Sequence, residues 1–240
     1  MKHDEKQVKR RRDFARYRWR LLSRNLLKLR DENYRSEQNF IIFDAIKKSD
    51  PSECGSWYHV KECLAYYFLL NKDLCEHKSL LEIGAGMTGL IGLAAITANA
   101  NRVVITDGHK KSVENLKRIF ERNNLFHHHR VECLQLDWND RLDIGQFDII
   151  ACADCLFFVE SHNVLLDCID NYLKNDGIAY IMAPRRNGTA EGFIILVNQQ
   201  KLYWNVYHLK FPFNSYFENL DQNSSDSIVP LFFCLHKKNA

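Results

Sequence analysis

Leu80-Leu81-Glu82-Ile83-Gly84-Ala85-Gly86-Met87-Thr88-Gly89 decides how this 240-residue chain is read. The apolar run Ser79–Ile83 has the look of a short buried strand. The small apolar residues of Met87–Asn99 have the look of a buried helix. Glycines between them let the backbone turn tightly and let a ligand approach with no Cβ in the way. A strand, a glycine turn and a helix in that order are the context a nucleotide-binding turn requires. The G-x-G-x-x-G spacing alone is shared with dinucleotide-binding folds. Glu82 sharpens the reading, because it stands two residues before the first glycine, where NAD-binding turns carry an apolar residue.

Working outward, strand and helix signals alternate, which predicts an α/β fold with a mostly parallel sheet covered on both faces. Trp57–Leu70 reads as a helix ahead of the sheet. Strands are expected at Arg102–Thr106, Arg130–Leu136, Phe147–Cys152 and Ile178–Ala183, with helices over Lys110–Asn123, Asn163–Leu173 and Glu191–Gln200. Asn175-Asp176-Gly177 reads as the turn that closes the helix before the fifth strand. Leu202–Tyr207 and Ile228–His236 suit an edge hairpin with an antiparallel last strand. The domain proper is therefore placed at residues 57–240, after a segment over 1–56.

That first segment differs in charge. Residues 1–30 hold twelve Lys/Arg against three Asp/Glu, a net +9, while the rest of the chain sums to −6. Phe14, Tyr17, Leu21 and then Ala15, Trp19, Leu22, Leu26, Leu29 recur at helical steps, giving a basic amphipathic helix. Such a helix either packs its apolar stripe on the domain and leaves its charges in water, or seeks an acidic partner. Residues 31–56 read as a connector with one strand near Asn39–Phe43. No run of 18 apolar residues is present and no apolar stretch follows the first methionine, so neither a membrane span nor a secretory signal is expected. The eight cysteines show no secreted-type framework and read as reduced thiols.

The acids at the carboxyl ends of the strands carry the chemistry. Asp107 ends the second strand, where a carboxylate takes both hydroxyls of a ribose; its bland alternative is a helix cap. Asp137-Trp138 ends the third strand, where an aromatic face meets an adenine or simply packs in the core. Asp154 follows the fourth strand, at the end where open α/β sheets bind ligands, or else caps the next helix. Cys152-x-x-Cys155 lacks a second pair at zinc-site spacing and reads as core thiols. His127-His128-His129 reads as a polar loop. Arg185-Arg186 fits either a solvated loop or a contact to phosphate or an acidic peptide.

Taken together, E-x-G-x-G after strand one, an acid after strand two, Asp-Trp after strand three and Ala153-Asp154-x-x-Phe157 after strand four resemble the S-adenosylmethionine-dependent methyltransferases with a Rossmann-like seven-strand sheet. More narrowly they resemble the protein-lysine methyltransferases, and within these the calmodulin-lysine N-methyltransferases. Glu62-Cys-Leu-Ala-Tyr-Tyr, Gly86-Met-Thr-Gly, Thr106-Asp-Gly, Phe147-Asp-Ile, Cys152-Ala-Asp-Cys-Leu-Phe and Ala183-Pro-Arg-Arg carry this narrower likeness. The resemblance covers residues 57–240 well and 14–30 more loosely. It departs in one respect: the family has a block of β structure where this chain has only residues 31–56.

The resemblance implies methyl transfer from S-adenosylmethionine to a lysine of an acidic protein substrate, calmodulin above all, by a cytoplasmic or nuclear monomer that engages neither nucleic acid nor membrane. It implies that Gly84, Ala85, Gly86 and Glu82 form the cofactor turn and that Asp107 takes the ribose. Trp138 would pack on the adenine, Ala153 would offer backbone, and Trp57 would lie over the cofactor or anchor its helix. Asp154 would orient the incoming amine and Phe157 would wall its channel, while a metal plays no part. Two rivals are a non-catalytic binding module on the same fold and an NAD(P)-dependent oxidoreductase. Glu82, Asp137-Trp138 and Asp154-x-x-Phe157 weigh against the second. A nucleic-acid methyltransferase is disfavoured because Ala153-Asp154-Cys155-Leu156 is not the N/D-P-P-Y/F of base-modifying enzymes.

Overall fold

The computed structural model describes residues 60–122, 130–200, 203–209 and 230–238. The expected basic helix, the connector with its strand, the boundary at 56/57, Trp57 and the three-histidine loop all lie outside these residues. The elements run α1 (Val60–Leu70), β1 (Ser79–Ile83), α2 (Leu90–Thr97), β2 (Arg102–Asp107), α3 (Lys110–Arg122), β3 (Arg130–Gln135), β4 (Phe147–Ala153), α4 (His162–Tyr172), β5 (Leu173–Ala183), α5 (Thr189–Gln199), β6 (Trp204–His208) and β7 (Leu231–Lys237).

Seven strands form one sheet in the order β3-β2-β1-β4-β5-β7-β6. β1 is parallel to both β2 and β4, and β2–β3 and β4–β5 are parallel as well. β7 is antiparallel to both of its neighbours, β5 and β6. The expected mostly parallel sheet with an antiparallel last strand is what forms, and that last strand lies inside the sheet while β6 takes the edge. The strand order reverses between β1 and β4, so a crevice opens there at the carboxyl ends of the strands, the usual ligand position in open α/β sheets.

Side-chain alternation sends each strand into two cores. Leu81 and Ile83 join Ile150, Ile181, Phe233 and Leu235 in a cluster with Leu165 and Ile169 of α4 and Phe193 and Val197 of α5. Glu82 points the other way and reaches Gly92 of α2. α2 needs no polar face, because Leu90 to Ile96 are all buried. α3 does need one, and it buries only Ser112, Val113, Leu116 and Phe120 along one stripe. Tyr172, Phe147, Phe193 and Phe233 are among the largest fully buried side chains. Burying each contributes about 1.5–3 kcal/mol.

Several boundaries differ from the sequence reading by a few residues, two of them at turn-forming residues. The helix expected from Met87 begins only at Leu90, because Gly86 to Thr88 form a turn that leaves Met87 half exposed. Asn175-Asp176-Gly177 does not close a helix. α4 stops at Tyr172, β5 begins at the next residue, and those turn-forming residues lie inside the strand. Phe147 pairs with Leu173 and Ile149 with Ile178, so β5 advances five residues while β4 advances two. Asn175 and Asp176 fill the resulting bulge and face solvent. Asp148 pins this end of the sheet: it accepts from Lys174 Nζ at 2.7 Å and from Ser79 Oγ at 2.6 Å and Ser79 N at 2.8 Å. Those donors hold the Asp148 carboxyl down at about 2 against the pull of burial.

Candidate active site

The crevice is built on the glycine turn. Gly84 and Gly86 have φ of +66° and +65°, a backbone that side chains strain to adopt. Ala85 N donates to Thr106 O at 2.9 Å, and Gly86 N donates to Asp107 Oδ2 at 2.7 Å. Asp107 Oδ1 accepts from His109 N at 2.9 Å. Its Oδ1 closes a turn ahead of α3 without capping that helix, which begins at Lys110, and its Oδ2 stitches the glycine turn to β2, while each oxygen keeps a lone pair for a further donor. On the far side, Lys61 Nζ of α1 donates to Gly84 O at 3.0 Å.

Glu82 departs from its expected role. It is 1% exposed and does not line the cleft. Its Oε2 accepts from Gly92 N at 2.7 Å, so it anchors the first turn of α2 from beneath. Burial pushes its carboxyl up to about 7, against the downward pull of the Gly92 N–H and the Lys61 ammonium. Any effect of Glu82 on a ligand passes through the position of α2.

A cleft of about 510 Å³ opens over the strand ends. Gly84, Asp107, Trp138, Asp154 and Phe157, five of the expected site residues, line it. Ala85, Gly86 and Ala153 belong to the same strand ends without lining it, and Trp57 lies outside the described residues. Trp138 is partly buried and packs on the core that holds α4, so its packing role and its place on the cleft coincide. Beside it, Asp137 Oδ1 accepts from Asn139 N and Nδ2 at 3.0 and 2.9 Å, which holds its carboxyl below the usual range.

The other end of the cleft is apolar and charged at once. Phe157 and Phe158 are 43% and 54% exposed, with ring centres 4.3 Å apart. Asp154 adopts φ +62° and donates its N–H to Met182 O at 2.9 Å; it does not cap the following helix, which starts at His162. Its Oδ1 is 2.7 Å from Arg186 Nη2. Burial raises the Asp154 carboxyl, while Arg186 and Lys61 pull it back down. Lys61, Phe158 and Arg186 were not singled out as site residues. Lys61 adjoins the Glu62-Cys-Leu-Ala-Tyr-Tyr motif and Arg186 closes Ala183-Pro-Arg-Arg, but the partners that give them meaning are 23 and 32 residues away in sequence.

The donor set fits an adenosine-type cofactor with vicinal hydroxyls. A Cβ on Gly84 would stand 2.6 Å from the buried Cys155 Sγ, and one on Gly86 would push aside Lys61 Nζ at 2.8 Å, so space and positive φ favour glycine at Gly84 and positive φ favours it at Gly86. Asp107 offers paired acceptors and Trp138 an aromatic face. Cys155 itself is 4% exposed and directs its S–H at Ile83 O, as a core thiol does. Among the described residues no group of three His, Cys, Asp or Glu is arranged for a metal ion, and no helix is long and apolar enough to cross a membrane.

Gly84→Ala tests the cradle. The left-handed backbone costs alanine about 1–2 kcal/mol, and overpacking against a buried sulfur adds about 1–3 kcal/mol. Urea denaturation is expected to show a stability loss within the sum of these. Adding Cys155→Ala should recover the packing part only. Full recovery would mean that the backbone carries no strain.

Comparison with known proteins agrees with this geometry. The family described as "Lysine methyltransferase" matches residues 47–200. A calmodulin-lysine N-methyltransferase of Arabidopsis thaliana is 35% identical over 141 residues, 56% of this chain and 46% of that protein. Protein N-lysine methyltransferase METTL21A of Danio rerio is 26% identical over 140 residues, 57% of this chain and 63% of that protein. The chain therefore spans roughly half to three-fifths of these curated relatives. Among solved structures, the PH0226 protein from Pyrococcus horikoshii OT3 superposes with a TM-score of 0.54 at 13% identity, over 80% of this chain and 98% of that one. Ribosomal protein L11 methylase from Lactobacillus delbrueckii subsp. bulgaricus gives 0.51 at 15% identity, over 76% and 80%. At such identities these two structures speak for the fold, whereas the family match runs from ahead of α1 to the end of α5 and takes in every residue of the cleft. On that match, the chain belongs to the lysine methyltransferase family.

Proposed function

We propose that this protein transfers a methyl group from S-adenosylmethionine to a lysine side chain of an acidic protein substrate, with calmodulin as the first substrate to try. The observation that carries the reading is the convergence in one cleft of the glycine cradle, Asp107 and the Asp154–Phe157 end. The excess of twelve basic over three acidic residues in the first 30 supports an acidic partner, since opposite charges steer encounter. The name of the Arabidopsis relative supports calmodulin in particular.

When bound, the cofactor supplies an electrophilic methyl group on sulfur. The chain supplies position and a workable amine. Asp107 and the turn it holds would fix the ribose end, and Trp138 the adenine end. Presenting a lysine uncharged at pH 7 costs roughly 4.6 kcal/mol from its ordinary pKa of about 10.4. The exposed rings of Phe157 and Phe158 take the alkyl chain out of water, which favours the neutral amine. Lys61 adds a nearby positive charge in the same sense. Asp154 acts oppositely: it attracts the ammonium and so fixes where the nitrogen sits before the proton leaves to solvent. No side chain has to act as nucleophile.

Tritiated cofactor incubated with calmodulin, with total protein extract and with nucleic acid is the test. Label on protein lysines supports the reading, and label confined to nucleic acid, or none at all, sinks it. A melting-point rise with NAD and none with S-adenosylhomocysteine would point to the oxidoreductase alternative. Asp154→Asn should lower turnover about tenfold or more while S-adenosylhomocysteine affinity, read by calorimetry, stays within about twofold. Equal losses in both would make Asp154 a cofactor residue.

A further inference from the structure

The loop after β5 brings a cation to the acceptor end of the cleft. Arg186 stands three residues beyond Ala183, with its Nη2 2.7 Å from Asp154 Oδ1; the two side chains are 19% and 21% exposed. Its Cζ lies 5.5 Å from the centre of the Phe157 ring. A carboxylate and an aromatic face are the surroundings a cation prefers when water is scarce. They are also the two groups assigned above to the acceptor lysine, so the guanidinium holds the place that a substrate ammonium needs.

The backbone here is under tension. Asp154, Arg186 and Asn187 have φ of +62°, +40° and +55°. Arginine adopts that region only at a cost, asparagine and aspartate more readily, and such residues persist where their surroundings hold them. Lys61 is not a substitute for Arg186, because its ammonium is engaged with Gly84 O.

We propose that Arg186 is a resident cation of the acceptor subsite, seated on Asp154 and Phe157 in the free protein and displaced by the incoming alkylammonium. This rests on the reading of Asp154 and Phe157 as the acceptor end. The exchange of one cation for another keeps Asp154 paired throughout, and it makes the subsite answer to charge: a neutral chain of the same shape has nothing with which to displace the guanidinium. It also lowers apparent affinity by the fraction of molecules in which the site is already taken.

The test uses the full chain without any methyl donor. The Arg186 Nε–Hε NMR signal is assigned by its loss in Arg186→Gln and, should that variant fold poorly, in Arg186→Lys. Titration with n-butylammonium, the bare end of a lysine side chain, should move this signal saturably to the position it holds in Asp154→Asn. Titration with n-butanol should leave it in place. By calorimetry Arg186→Gln should bind n-butylammonium more tightly, about tenfold if the pair occupies nine molecules in ten. Arg186→Lys, which keeps a cation, should stay near the natural protein. An Arg186 signal unmoved at saturating amine, or weaker amine binding in Arg186→Gln, would make Arg186 a brace for the loop and overturn the proposal. Displacement by the amine in a chain that methylates no protein would sink the proposed activity and leave this inference standing. Protein methylation together with weaker amine binding in Arg186→Gln would do the reverse.

Discussion

Glu82→Gln is expected to stabilise the folded protein by roughly 3 kcal/mol at pH 8 and to change nothing near pH 4. The carboxyl is buried with its Oε1 unpaired, and burial lifts its folded pKa from an ordinary 4.5 to about 7. Between those two values the folded state binds a proton that the unfolded state has lost. Stability from this group is therefore full below about pH 4.5 and is lost as pH rises to about 7. Gln keeps an oxygen for the Gly92 N–H but never charges. Urea melts of both proteins from pH 4 to 8 measure the effect as a difference that opens across this window. Parallel curves would mean that the Glu82 carboxyl titrates alike in the folded and unfolded states.

Asp107→Ala should weaken S-adenosylhomocysteine binding by about 10- to 100-fold, since charge-assisted hydrogen bonds contribute roughly 1.5–3 kcal/mol each before compensation. Two losses combine. The acceptors proposed for the ribose go, and so does the carboxylate that Gly86 N and His109 N donate to, which leaves the turn held, among the described residues, only by Ala85 N–Thr106 O and Lys61 Nζ–Gly84 O. Asp107→Asn separates them: one side-chain oxygen survives to hold a backbone N–H, so its affinity should fall between the two. Calorimetry on variants shown to be folded decides. Unchanged affinity in folded Asp107→Ala would remove this residue from the cofactor site.

What could be read from the chain beforehand follows physical range. β1 was legible to the residue because Leu80, Leu81 and Ile83 in a five-residue run ending at a glycine leave few alternatives. The places of Asp107 and Asp154 on the cleft were legible because a strand end is a local property and the fold fixes which ends border the crevice. Asn175-Asp176-Gly177 misled because its turn chemistry was right and its context was not: a strand bulge uses the same residues as a turn. Glu82 was placed at the cofactor from its neighbours in sequence, while its burial depends on α2 packing over β1. Arg186 had two readings until Asp154 came within 2.7 Å, a contact that no local pattern announces.

The position of β7 bears on the order in which the protein can be made. A ribosome delivers β1 to β5 with every neighbour in their part of the sheet already synthesised. β6 then emerges with no strand to pair with, because the strand between it and β5 is β7, which comes later. The sheet must wait for Leu231–Lys237, with the β5 flank open and Tyr180 and Met182 exposing a pairing edge in the meantime. A premature stop before Leu231 would strip more than a loose end. It would remove the bridge, release β6 as well, and turn an internal strand into a sticky border, so nascent chains of that length should be the ones that chaperones hold.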